Sequence, residues 1–172
     1  MSKGKRIERH RAQAIAEALT KELQRDGTRI VVGGSLRRGK PTIGDVDLVA
    51  VCKNEAARST LNDTLGELFG YCKTKRKRAK RFGTFRDVAI NVFDCLPHEQ
   101  GAAVLFCTVC GVFNVKMRVT AKSRGLLLNQ NGLYERCTRE PVVDATEEET
   151  IFEALRLPYF KPTDRTEEAL SW

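Results

Sequence analysis

Two aspartates separated by one residue stand at the head of an apolar run, Asp45-Val46-Asp47-Leu48-Val49-Ala50-Val51-Cys52. On a strand, positions two apart face the same way, so these carboxylates repel each other unless a cation lies between them. Such a pair suits two-metal phosphoryl transfer, which usually draws a third carboxylate from a neighbouring strand. The segment that should supply it reads Val88-Ala89-Ile90-Asn91-Val92-Phe93, with an asparagine where a charge is wanted. Upstream, Gly33-Gly34-Ser35 makes a tight turn that opens a short helix, continued by Leu36-Arg37-Arg38-Gly39. Backbone N–H groups at such a turn, aided by the helix dipole, suit an anion. Arg37 or Arg38 would neutralise the charge of a leaving pyrophosphate.

The elements that must position these residues are readable in part. Ile7 to Leu23 is expected to be a helix, with Ile7, Ala14, Ile15, Ala18 and Leu19 near helical spacing, closed by Asp26-Gly27. Arg29 to Val32 and Asp45 to Cys52 read as buried strands, and Asn54 to Phe69 as a helix with a Leu61, Leu65, Leu68 stripe. A third strand is expected near Tyr71, then a basic loop, then a strand from Phe85 to Phe93. That order predicts an α+β lobe on a small mixed sheet. Beyond Pro97, Gly101 to Cys107 is compatible with helix, and Thr108 to Gly111 with a turn. Val112 to Arg124 is a helix closed by Gly125. Leu126 to Tyr134 reads as a hairpin about Asn131-Gly132, and Thr146-x-x-Glu149 as a capping box before a helix ending near Leu155. The two lobes are expected to meet near Thr108, residues 1–104 forming the first and 105–172 the second, smaller one.

Composition bounds the partners. The chain has 172 residues, enough for one domain or two small ones sharing a core. Nothing approaches the ~20 apolar residues of a membrane span, and the basic start, Met1-Ser2-Lys3-Gly4-Lys5-Arg6, has no apolar segment behind it, so no signal peptide is expected. The six cysteines are scattered and read as reduced thiols of an intracellular protein. Cys107 and Cys110 form a lone CxxC, too little for zinc. The net charge of +8 favours a polyanionic partner. Seven of the nine residues from Lys73 to Arg81 are basic. Lys75, Arg76, Lys77 and Arg78 are therefore expected on a phosphate backbone, with salt-dependent affinity; a solvated loop or a localisation signal is the bland alternative.

Taken together, Gly34-Ser35-Leu36-Arg37-Arg38-Gly39, four residues, then Gly44-Asp45-Val46-Asp47 resembles DNA polymerase family X, the family of polymerase beta. Downstream, Pro97, Gly101-Ala102-Ala103, Phe106-Cys107-Thr108, Phe113-Asn114, Met117-Arg118, Leu128-Asn129-x-x-Gly132-Leu133 and Leu157-Pro158-Tyr159 agree with it. The resemblance implies a nucleotidyltransferase palm and a small α/β thumb lobe, in the two-lobed form similar to viral polymerases X without lyase and fingers domains. It implies a template-directed, gap-filling DNA polymerase acting in repair on gapped or primer-template DNA with a dNTP, as a monomer. Two Mg²⁺ ions, or Mn²⁺, would be held by Asp45, Asp47 and the residue at position 91. Gly34, Ser35 and Arg38 would bind the β and γ phosphates, and Thr108 would lie beside the incoming sugar. Asn114 would contact the incoming nucleotide from the minor-groove side, and Arg118 the templating side.

Counting back from Thr108, with Pro97 and Gly101 as anchors, places Asn91 at the family's third aspartate. Asp87 lies four residues away, about 13 Å along a strand, and Asp94 an odd number away, on the other face. An amide oxygen can touch Mg²⁺ but carries no charge and accepts no proton, so substrates should assemble while chemistry is slowed by orders of magnitude. An Asp-to-Asn variant of an active polymerase is the first explanation. A naturally inactive DNA-binding homologue is a second, and a template-independent nucleotidyltransferase on the same palm a third. Thr108-Val109-Cys110 replaces the family's usual Thr-Gly-Ser, and Cys107 a bulky residue, which puts discrimination against ribonucleotides in question.

Overall fold

The computed structural model describes residues 6–25, 27–69 and 81–167. The third strand expected near Tyr71 and the basic residues Lys75, Arg76, Lys77 and Arg78 fall outside the described residues. Among those described, no helix is long and apolar enough to cross a membrane.

A two-residue strand, β1 (Ile7–Glu8), precedes α1 (Arg9–Leu23) and pairs antiparallel with β3 (Thr42–Ile43). The expected helix thus starts two residues late. Its buried stripe is Ala12, Ile15, Ala16, Leu19 and Leu23, and the expected Ala14 faces solvent. The central sheet has the order β2-β4-β6-β5, with β2 (Thr28–Val32), β4 (Asp45–Cys52), β5 (Arg81–Phe85) and β6 (Val88–Cys95). It is mixed, as expected: β2 and β5 run antiparallel to their neighbours, while β4 and β6 are parallel. A parallel pair needs a crossover, which begins with α3 (Glu55–Phe69), capped where Asn54 Oδ1 accepts the Ala57 N–H at 2.9 Å.

The single strand expected from Phe85 to Phe93 is instead a hairpin. The chain reverses at Arg86 and Asp87, which have φ of 50° and 64°. Two positive φ values in a row make the tight turn that suits strand twist; aspartate tolerates that region and arginine seldom does. Asp87 therefore sits in the turn and is not on the strand face of Asn91.

Strand parity divides the molecule. Even-numbered Val46, Leu48, Ala50 and Cys52 of β4, with Val88, Ile90 and Val92 of β6, pack under α1 and α3. Odd-numbered Val49, Val51, Phe93 and Cys95 pack on the opposite face against Ala103 and Val104 of α4 (Gln100–Thr108). The other side of α4 (Ala102, Leu105) enters a second core with Phe113, Met117 and Ala121 of α5 (Gly111–Ser123), the hairpin β7 (Leu126–Asn129) and β8 (Gly132–Glu135), and Ile151 and Phe152 of α6 (Glu148–Ala154). The position expected to separate the lobes, between residues 104 and 105, lies inside α4. Gly101 is required where α4 begins: its N–H donates to Ala145 O at 2.7 Å, and a Cβ would lie 2.3 Å from the Glu147 carbonyl carbon.

Two local expectations in this lobe differ from the structure. The β7–β8 turn is Gln130-Asn131, with Asn129 paired to Gly132, one residue before the expected Asn-Gly. Asn129 Oδ1 accepts the Asn131 N–H at 2.8 Å and sets that register. The capping box does not form. Thr146 Oγ1 and N–H both donate to Asp144 Oδ1, at 2.5 and 3.0 Å, and α6 starts after Glu147 with no side-chain cap.

Candidate active site

The parity that buries Val49 and Phe93 under α4 also decides where the polar residues go. Asp45, Asp47 and Asn91 share that face and lie farther back along β4 and β6. The parallel register sets Asp47 opposite Asn91. Asn91 is buried, and its Nδ2 donates to both carboxylates, at 2.8 Å to Asp45 Oδ2 and 2.9 Å to Asp47 Oδ1. The amide nitrogen, not the oxygen, thus faces the pair. Asp94 points to the other face as expected, where Arg58 of α3 meets its Oδ2 at 2.8 Å.

The glycine-rich turn abuts the carboxylates. β2 ends at Val32, and the Gly33 N–H donates to Asp47 O at 2.8 Å. Gly34 has φ +64°, and a Cβ there would lie 2.1 Å from Asp47 Oδ2, so glycine is needed both for the left-handed backbone and for the carboxylate beside it. A Cβ on Gly33 would lie 2.4 Å from Cys107 Sγ. The helix that follows, α2 (Gly34–Arg37), has only four residues, with Ser35 half-buried in it. So short a helix adds little dipole, and any anion would be held by local N–H groups and side chains.

The two arginines do different work. Arg38 donates to the Thr108 carbonyl at the end of α4. Arg37 donates to Thr108 Oγ1 at 3.1 Å and to both oxygens of Glu148, at 3.0 and 2.7 Å. Glu148 also accepts from Arg165 at 2.5 Å, and Arg165, fully buried, lies over Phe152 and Tyr159 and donates from Nε to Phe160 O. Burial alone would raise the Glu148 pKa, but the Arg37 and Arg165 hydrogen bonds and charges outweigh it and hold it low. Burial likewise opposes the charge on Arg37, and the Glu148 hydrogen bond reverses that, so its pKa rises. Nothing in the sequence singles out Glu148 or Arg165. Glu148 sits in the run Glu147-Glu148-Glu149, which offers no local sign of which carboxylate turns inward.

The remaining predicted residues separate into two places. Thr108 is fully buried beneath the arginines. Cys107 lies against the Gly33-Gly34 turn, and burial first, then the nearby Asp47 charge, push its thiol up to about 12. Asn114, half-buried on α5, donates from Nδ2 to Phe106 O at 3.3 Å, so it is tied to the same α4 end. Arg118 is exposed, one turn further along. It borders a groove of about 280 Å³ floored by Val115, Val119 and Leu127, with Lys122 and Arg136 on its rim.

An α+β palm carrying a carboxylate pair beside a glycine turn, joined to a small helical and hairpin lobe, defines a nucleotidyltransferase-type fold. The DNA polymerase beta palm model matches residues 6–82 and the DNA polymerase beta thumb model residues 103–166. The chain belongs to the polymerase beta-like DNA polymerases of family X. Among solved structures, the fold is similar to that of Leishmania infantum polymerase beta in a ternary P/T complex, with a TM-score of 0.81, 21% identity, and coverage of 95% of this chain and 78% of that one.

Among the described residues, no three His, Cys, Asp or Glu side chains are grouped to hold a metal ion. Asp45 and Asp47 supply a carboxylate pair that fits one cation, and the two oxygens that converge do so on the Asn91 NH₂. Asn91 as placed does not fit as a ligand.

Proposed function

We propose that the chain binds primer-template or gapped DNA with a dNTP and performs template-directed nucleotidyl transfer at a greatly reduced rate. The observation that supports this most is the register of β4 and β6, with Asp45, Asp47 and Asn91 on one face beside the Gly33-Gly34-Ser35 turn. In this reading residues 1–104 are the palm and 105–172 the thumb. Ser35 and the Gly34 turn take the β and γ phosphates, and Arg38 turns from the Thr108 carbonyl to join them. Asn114 meets the minor-groove side of the incoming nucleotide, Thr108 supports the backbone beside its sugar, and Arg118 faces the template. Lys75, Arg76, Lys77 and Arg78 add sequence-independent phosphate contacts. The ternary P/T complex of the Leishmania protein supports DNA and nucleotide as partners by analogy of fold.

A divalent ion such as Mg²⁺ or Mn²⁺ at Asp45 and Asp47 would neutralise charge on the triphosphate. Activating the primer hydroxyl falls to position 91, where an amide accepts no proton and brings no negative charge. A loss of several kcal/mol of transition-state stabilisation there corresponds to roughly 10³-fold or more in rate. Primer extension by the Asn91→Asp variant, with Mg²⁺ on a defined primer-template, tests this. A gain of that order is expected; equal, measurable extension by both forms would overturn the slowing assigned to Asn91, no extension by either form would favour a DNA-binding protein that does not polymerise, and extension without template would favour the template-independent reading.

A further inference from the structure

Building on the reading above, we infer that this site takes one divalent cation, held by Asp45 and Asp47 together with the nucleotide, and that the Asn91 amide closes the second position. The two carboxylates converge on Asn91 Nδ2, which stands 2.8 and 2.9 Å from one oxygen of each. The NH₂ group presents partial positive charge to both, as an ion would. It is not free to withdraw. Asn91 lies in β6 between two ladders, paired with Asp47 on one side and Phe82 on the other, and is 7% exposed. Turning the amide over would exchange two charge-assisted hydrogen bonds for contacts between oxygens, and would offer an incoming ion a neutral ligand.

The other side of the pair is built differently. Asp47 reaches across from Asn91 to the turn, with Oδ1 at the amide and Oδ2 where a Gly34 Cβ would be. With Oδ1 at the amide and Oδ2 against the glycine backbone, Asp47 offers an ion little more than its Asp45 neighbour adds, so an ion bound here would complete its coordination with phosphate oxygens and enter with the nucleotide. The chain is thus arranged to hold a cation–nucleotide complex while the position nearer the primer is occupied by its own amide.

Counting bound Mn²⁺ by electron paramagnetic resonance tests this, using the full chain with gapped duplex and a non-hydrolysable dNTP analogue. One ion per bound nucleotide is expected for the native chain and two for Asn91→Asp. Two ions in the native chain would overturn the one-cation site and leave the nucleotide reading intact. No nucleotide-dependent ion would overturn both. If Asn91→Asp does not fold, the native count still decides. Side-chain amide exchange by NMR gives a second readout with Mg²⁺: the Asn91 NH₂ protons stay slow to exchange when the analogue and Mg²⁺ are added, and loss of that protection would count against the closed position.

Discussion

Arg37 and Glu148 face each other across the two lobes with both carboxylate oxygens engaged, at 3.0 and 2.7 Å. The pair joins α2, which carries the glycine turn, to α6 in the second lobe. Arg165 completes it from below, so one carboxylate answers two guanidinium groups. Removing one member of a buried ionic cluster leaves charge without compensation. Glu148→Gln should therefore cost about 3 kcal/mol or more, read as a lower midpoint in urea with an unchanged slope. A change under half of that would mean water replaces the carboxylate.

The same cluster makes stability depend on pH. The folded-state pKa of Glu148 lies below its ordinary value of 4.5. A depressed carboxylate contributes fully above its unfolded pKa and loses that contribution as pH falls through the folded value. Between pH 6 and the acid limb, urea midpoints of the native chain should fall more steeply than those of Glu148→Gln (pH ~6 down to ~3). Parallel profiles would place the acid-sensitive groups elsewhere.

Gly34→Ala should abolish nucleotide binding with the fold largely kept. The new methyl meets Asp47 Oδ2 at 2.1 Å on a backbone with φ +64°, so either the carboxylate or the turn must move. Strain of this kind costs on the order of 1–3 kcal/mol. Fluorescent dNTP titration and a thermal melt on the same sample separate the two effects, and unimpaired binding would show that the turn is not a phosphate site.

Thiol reactivity should follow burial. Cys137 is exposed, Cys95 is buried and Cys107 is half-buried, and the Cys95 and Cys107 thiols are pushed up to about 12, in both cases chiefly by burial. Alkylation at pH 8 mapped by mass spectrometry should modify Cys137 first, Cys107 much more slowly, and Cys95 only when denaturant is added. Early labelling of Cys107 would mean that the glycine turn opens readily.

Arg118 lies on the exposed side of α5 with Lys122 and Arg136 nearby. If it contacts a phosphate, Arg118→Ala should lower DNA affinity and reduce the salt dependence, log K against log[salt], by about one. If it reads the nascent pair, affinity for matched and mismatched termini should change unequally at a constant slope.

Much of the site was legible because it lies on long regular elements. An apolar β4 interrupted by aspartates two apart shows its own face, and the anchors Pro97 and Gly101 carried the register back to Asn91. The mixed sheet and the helices α1, α3, α4 and α5 followed from periodicity and glycine stops. What escaped was set by contacts distant in sequence or by turns without the usual residues. The Arg86-Asp87 reversal has no glycine or asparagine to announce it. Asp144 captured Thr146 before a capping box could form. Glu148 found partners 111 and 17 residues away, and no local pattern encodes that choice. Nor does the sequence say which end of the Asn91 amide turns toward the aspartates; that depends on two carboxylates needing a donor.

Residues Gly101 to Leu105 of α4 are buried all the way round, with Ala103 and Val104 against the sheet and Ala102 and Leu105 against the second lobe. One helix serves as inner wall to both. Neither lobe then has a complete interior without it, and a protein cut on either side of α4 would leave one half with its apolar wall missing. The lobes differ in architecture, yet heat should take them apart in a single step.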